Sequence, residues 1–184
     1  FDQIVTFSTG GGNACADQSN TGNSPPAVDA GPDYTIPAQT PFTLSGSGND
    51  PDGDSLVFTW EQFDLAAGRG PLGADDGIGP IIRSRVPGPD SDRTIPPWND
   101  ILTGTPSPGE LLPQADRTLN FRLTARDGLP GGGGVDSDAM VITVAGDPFF
   151  VTSPNGGEDI NGGCPADVTW TIGGGDVAAN VDLL

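Results

Sequence analysis

The chain has 184 residues, a formal net charge of −18 and no histidine. That charge argues against nucleic acid, which needs a basic face, and against an anionic membrane surface. The missing histidine removes the usual general base and the usual zinc ligand, and hydrophobic residues at 34% beside 29 Gly and 19 Pro leave a core only if the apolar residues gather in short runs.

They do gather, in alternating runs. Gln3, Ile4, Val5, Thr6, Phe7 and Ser8 alternate polar with apolar, which predicts a strand over residues 1–9. Residues 10–26 are Gly, Asn, Ser and Pro with little apolar content and read as a linker, so 1–26 form an N-terminal strand and tether. A main domain is expected over 27–146. Its strands are Tyr34-Thr35-Ile36, Phe42-Thr43-Leu44, Leu56 to Phe63, Thr118 to Ala125 and Ala139 to Val144. On the best of these, Leu56, Phe58 and Trp60 share one face, which places Trp60 in the core. Residues 65–115 are a Gly/Pro-rich excursion expected to wrap the side of the domain. Residues 147–184 begin a second unit with strands at 149–152, 167–172 and 180–184, too few to close. No helical periodicity is evident. The fold class expected is therefore all-β: an antiparallel immunoglobulin-like sandwich followed by an incomplete second β-sandwich domain. No run reaches membrane-spanning length. The chain starts without Met and stops within a predicted strand, as a processed or partial chain would.

The chain contains 22 Asp but 3 Glu, and its only basic residues are 7 Arg. Short Asp side chains suit turns, because they bond their own backbone, and they also suit loops that hold a hard cation through oxygen. Asn49-Asp50-Pro51-Asp52-Gly53-Asp54 places carboxylates at every second position with Gly at the turn. In an immunoglobulin-like sandwich that loop shares an end with the 125–139 loop and with the entry to the first strand. Asp29, Asp33, Asn49, Asp50, Asp52, Asp54, Asp127 and Asp136 are accordingly candidate calcium ligands. The other reading is a set of separately solvated Asp turns. The loop lacks the terminal Glu of a helix–loop–helix calcium motif. Asp75-Asp76-Gly77 and Asp90-Ser91-Asp92 read as exposed turns, and Gly131–Gly134 as a flexible tip without the Lys of a phosphate loop.

Catalysis finds no support, because neither a Ser-His nor a Cys-His pairing is possible without histidine. Cys15 and Cys164 are 149 residues apart and define no disulfide framework.

Asp29 to Pro37, the run from Leu44 to Trp60-Glu61-Gln62, Arg117 to Asp127 with the Gly run after it, and Val151 to Glu158 together resemble the PKD-like accessory region of secreted bacterial reprolysin-like zinc metallopeptidases. Phe1 to Cys15 is similar to the segment leaving the peptidase domain in such proteins. The resemblance implies a secreted, extracellular accessory region. The peptidase's His-Glu-x-x-His motif has no counterpart here, so its activity does not carry over. Two functions follow as expectations. One is a calcium-stabilised structural β-protein that self-assembles head to tail, residues 3–8 of one copy adding as a strand to the unfinished sheet of another, with Cys15 and Cys164 available for an interchain disulfide. The other is an accessory domain that positions a peptidase, present as a fragment; plain truncation would then account for the incomplete ends.

Overall fold

The computed structural model describes residues 2–15, 20–65, 74–105 and 107–172. The chain opens with helix α1 (Asp2–Thr9) and a 3-10 turn (Gly11–Cys15). Short strands follow: β1 (Ala27–Asp29), β2 (Tyr34–Ile36), β3 (Phe42–Leu44) and β4 (Ser47–Asn49). Then come β5 (Val57–Gln62), β6 (Arg93–Ile95), helix α2 (Trp98–Thr103), β7 (Arg117–Arg126) and β8 (Val135–Val144). A separate two-stranded ribbon, β9 (Phe149–Ser153) with β10 (Thr169–Ile172), ends the described chain. The fold is all-β. The strand expected over 180–184 lies outside the described residues.

The long strands β7 and β8 pair antiparallel over their full ten residues, from Arg117↔Val144 to Arg126↔Val135. With β5 and β2 they make a four-stranded sheet in the order β2-β8-β7-β5. Alternation decides which face is buried: Leu119, Phe121 and Leu123 of β7 are fully buried, as are Ile142 and Val144 of β8 to within 1%. Phe42 and Leu44 of β3 and Ile95 of β6 close over them in one continuous core, with Phe42 edge-on to Phe121 at 6.2 Å between ring centroids. Trp60 is 3% exposed in this core, and its indole N–H donates to Ser91 O at 2.8 Å. Strand β2 runs parallel to β8, not antiparallel as expected. The cause is the additional strand β1, which pairs with β4; the chain then crosses at Gly31 (φ 77°) and joins the large sheet already running in the direction of β8.

Residues 3–8 are helical, which corrects the strand expected there. Ser8 Oγ and Thr9 Oγ1 donate to Val5 O at 3.0 and 2.7 Å, and Ile4 and Phe7, three apart, stay exposed. A lone strand leaves its N–H and C=O groups without partners, whereas a helix satisfies most of its own. Helix α2 also escaped the sequence reading: six residues set between Pro97 and the left-handed Gly104 are too few to show a period.

The 65–115 excursion is tied down by buried ionic contacts. Glu110 Oε1 accepts from Arg93 Nη2 at 2.9 Å and from Arg85 Nη2 at 2.8 Å, and Arg93 also donates to Trp60 O and Arg83 O. Arg117, at the start of β7, pairs with the buried Asp75 and donates to Gly79 O at 2.7 Å. Asp75 thus belongs to an ion pair rather than to an exposed turn. Gln62 Oε1 accepts from Ile81 N and Ile82 N, both at 2.9 Å, fastening the excursion to the end of β5.

Truncating one partner of a buried ion pair strands the other charge, at a cost of about 3–5 kcal/mol. Glu110→Ala is therefore expected to lower unfolding free energy by that amount in urea titrations. A loss below about 1 kcal/mol would show that Arg93 is solvated in the variant. Gly46→Ala is a second test of packing. The added methyl meets Leu123 and lies 3.0 Å from Asp29 O and 3.1 Å from Trp60 Cζ2. An overpacking cost of about 1–3 kcal/mol is expected in the same assay.

Candidate metal centre

One end of the large sheet is where β5 begins, β7 ends and β8 begins, since Val57, Arg126 and Val135 are register partners. Three segments meet there: 20–26, 50–54 and 127–134. Asp50 is 8% exposed, and its Oδ1 accepts from Asp52 N at 2.9 Å and Asp54 N at 3.2 Å, the self-capped turn that Asp favours. Gly53 in that turn has φ 83° and bonds back to Asp50 O. Asp127 holds the opposite loop, accepting from Leu129 N at 3.1 Å and Gly134 N at 2.8 Å.

The segment 20–26, expected to be a linker, bridges the two loops. Asn23 Nδ2 donates to Asp127 Oδ2 at 2.7 Å and to Gly132 O at 3.1 Å, and Ser24 N donates to Asp52 Oδ2 at 2.6 Å. Gly134 packs tightly against this segment: a methyl group there would lie 2.6 Å from Pro25 Cα and 2.9 Å from Asp127 Oδ2. The run Gly131–Gly134 is a close-packed loop for this reason, not a free tip. Asn23 and Ser24 were missed in the sequence because they sit in a stretch of linker composition. The signal available was Asn-Ser directly before Pro25-Pro26, a pair that fixes an extended backbone and so fixes what precedes it.

Two side-chain oxygens at this end are buried without a hydrogen-bond partner, Asp50 Oδ2 and Asn23 Oδ1. An orphaned buried oxygen is costly, and two on bridged loops leave acceptor capacity that only a donor or a cation satisfies. The charge balance favours a cation. The three ion pairs among the described residues use Arg85, Arg93 and Arg117, and none includes an aspartate of this end. Calcium's preference for six to eight carboxylate, amide and carbonyl oxygens fits this donor set.

The other candidate ligands are spread out. Asp54 adjoins Asp50 in the same turn, and Asn49 is exposed opposite Ala27 in β4. Asp136 Oδ2 is engaged by Val28 N at 3.1 Å, and Asp29 Oδ1 by Gly31 N at 2.8 Å. Asp33 accepts from Val141 N, six residues along β8 from Val135 and so about 20 Å from the loop end. The entry residues lie away from the end because β1 carries the chain along the layer before β2 begins. Among the described residues, no three acidic or cysteine side chains are gathered as a metal-holding group; each carboxylate here is turned onto backbone amides or left to solvent. Cys164 is exposed and without a disulfide among the described residues; the side chain of Cys15 lies outside them.

Comparison of the chain with protein-family models, with curated proteins and with solved structures finds no match. No helix of the described chain is long and apolar enough to cross a membrane.

Asp127 titrates below the usual carboxylate range, first because Asn23 donates to it and then because Leu129 N does. Asp76 is lowered likewise by Ile78 N and Gly79 N. A carboxyl whose folded pKa is depressed contributes stability above its unfolded value and loses that contribution as pH falls through the folded one. Stability is therefore expected to hold down to about pH 4 and to drop below it. Asp127→Asn should flatten part of that drop, as read from denaturant midpoints at neutral and acid pH.

Proposed function

We propose that this chain is a non-catalytic, extracellular β-sandwich module of immunoglobulin/PKD-like type, stabilised by calcium and built for head-to-tail self-association. The observation that carries the calcium reading is the buried Asp50 carboxylate with one oxygen unpartnered, beside the unpartnered Asn23 Oδ1. Asp50, Asp52, Asp127 and Asn23 would hold the ion, with Asp54 and Ser24 adjoining. A cation there would satisfy both orphan oxygens and offset the local negative charge. Because an ion held only by the folded chain stabilises it by mass action, the gain is about 2.7 kcal/mol at a hundredfold excess over Kd.

The self-association reading rests on the ribbon β9–β10, whose strands pair only with each other among the described residues. Phe150 and Trp170 are exposed on it. An open ribbon offers unpaired backbone groups to an incoming strand. Residues 3–8 suit that part, since a helix of eight residues is marginal in water and its apolar Ile4 and Phe7 are unburied. Unwinding it to add as a strand to a second copy costs little and buries both. Repetition of that contact without closure gives a filament, and Cys164 of the ribbon unit is open to a disulfide from the neighbouring copy's N-terminal segment.

Two experiments test these readings separately. Thermal melts in calcium and in chelator are expected to differ by several degrees, and Asp50→Asn, which keeps acceptors for Asp52 N and Asp54 N, should remove most of the difference. Identical melts would refute the metal site. For assembly, sedimentation and electron microscopy of the full chain against one lacking residues 1–9 should show long oligomers only for the former. A monomer in both, at every concentration, would end the head-to-tail reading.

A further inference from the structure

A groove of about 400 Å³ lies on the flank of the domain where the excursion passes the outer edge of β5. Phe58 and Gly88 exchange backbone hydrogen bonds at 2.7 and 3.1 Å, which pins the excursion to that edge at one point. Beyond that point the edge is left uncovered, and the groove opens. Its volume is within the usual range for small-molecule sites, roughly 300–1,000 Å³. None of its lining residues belongs to the acidic loop end.

Three features of the lining bear on what it takes. Trp98 begins α2 and is 48% exposed, although the neighbouring core could have taken an indole; with Phe58 and Pro97 it gives the groove an apolar wall. Arg85, Asp90 and Asp92 supply charged donors and acceptors of both signs at the rim. Thr59 Oγ1 and Arg93 Nε, both buried and without hydrogen-bond partners, lie in residues of its floor. Arg93 is otherwise fully committed, through Nη1 to Trp60 O and through Nη2 to Arg83 O and Glu110. The groove therefore combines an aromatic face, free donors and free acceptors within one small volume.

We infer that this groove binds a neutral oligosaccharide, with Trp98 stacked on the C–H face of one pyranose ring. A sugar hydroxyl both donates and accepts, so vicinal hydroxyls satisfy a carboxylate such as Asp92 and a guanidinium such as Arg85 together. The apolar face of the ring matches the indole, which supplies contact area at low entropic cost. Charge selects against the other classes. An anionic ligand meets Asp90 and Asp92 on a chain of net charge −18, and a cationic one meets Arg85 and the buried Arg93. A neutral, hydroxyl-dense ligand is opposed by neither.

The test uses the full chain labelled with ¹⁵N, with the indole N–H signals of Trp60, Trp98 and Trp170 assigned by single Trp→Phe variants. Cellohexaose, mannohexaose, xylohexaose and chitohexaose are titrated separately, beside an alginate hexamer and a Pro-rich peptide. The expected result is a saturable shift of the Trp98 indole with at least one neutral sugar, weakened about tenfold or more by Trp98→Ala. Asp92→Ala should weaken it as well. Both side chains are exposed, so unchanged urea midpoints are expected for the variants and separate lost binding from lost folding. Four outcomes would overturn the proposal: no shift with any neutral sugar, a shift confined to Trp170, sugar binding that survives Trp98→Ala, or a Trp98 shift with the peptide or alginate alone.

Discussion

Glu110 is the residue on which the shape of this domain depends. It is 4% exposed, and one of its oxygens takes both Arg85 and Arg93. Arg93 extends the contact to Trp60 O and Arg83 O, so one carboxylate links the tail of the excursion, its middle and the central strand β5. Burial works against the charge on Arg93, and Glu110 offsets that effect. The pair is a constraint more than a source of net stability. A hydrophobic substitute of equal volume would hold as well, but an ion pair with directed hydrogen bonds accepts one geometry. With Arg117 and Asp75 doing the same at the other end, a Gly/Pro-rich run of low apolar content stays in a single place on the sheet.

The distribution of cations follows from that constraint and shapes the rest of the surface. Of seven arginines, Arg85, Arg93 and Arg117 are engaged in fixing the excursion. A further one, Arg122, lies over the ring of Phe63 at 5.0 Å from the centroid. With no lysine in the chain, the acidic loop end is left to neutralise itself by other means. It does so locally: Asp50, Asp52 and Asp127 each take backbone N–H groups, which hold a carboxylate ionised and fix the loop around it. Such loops are ordered yet still electronegative. The same economy of cations produces the groove beside Trp98, because the excursion is held at Gly88 and at Arg93 and spans the sheet edge between them.

Much of the architecture was legible from periodicity. Leu119, Phe121 and Leu123 announce their strand by strict alternation, and so do Phe42 and Leu44, because a half-buried strand forces period two on its sequence. Trp60 was assigned to the core on the same ground. The Asp-x-Asp-Gly-Asp turn was legible too, since an Asx turn is a contact between residues two apart. Residues 3–8 show the limit of such reasoning. Their alternation fits a strand, but a strand also needs a partner, and within one chain the backbone found its bonds in a helix.

The sequence by itself determined that the chain is β-rich, where its long strands run, and that its loops are acidic and self-capped, because each of these properties is written in neighbours a few residues apart. Only the tertiary structure decided which distant groups meet. Asn23 finds Asp127 across 104 positions, Asp75 finds Arg117 across 42, and Arg93 finds Glu110 across 17. It also decided that Asp33, five residues past Val28 at the start of the domain, lies beside Val141 rather than at the acidic end. Pairings of this kind depend on the direction in which each strand enters its layer. That direction is set by the packing of whole faces against one another, and local spacing carries no record of it.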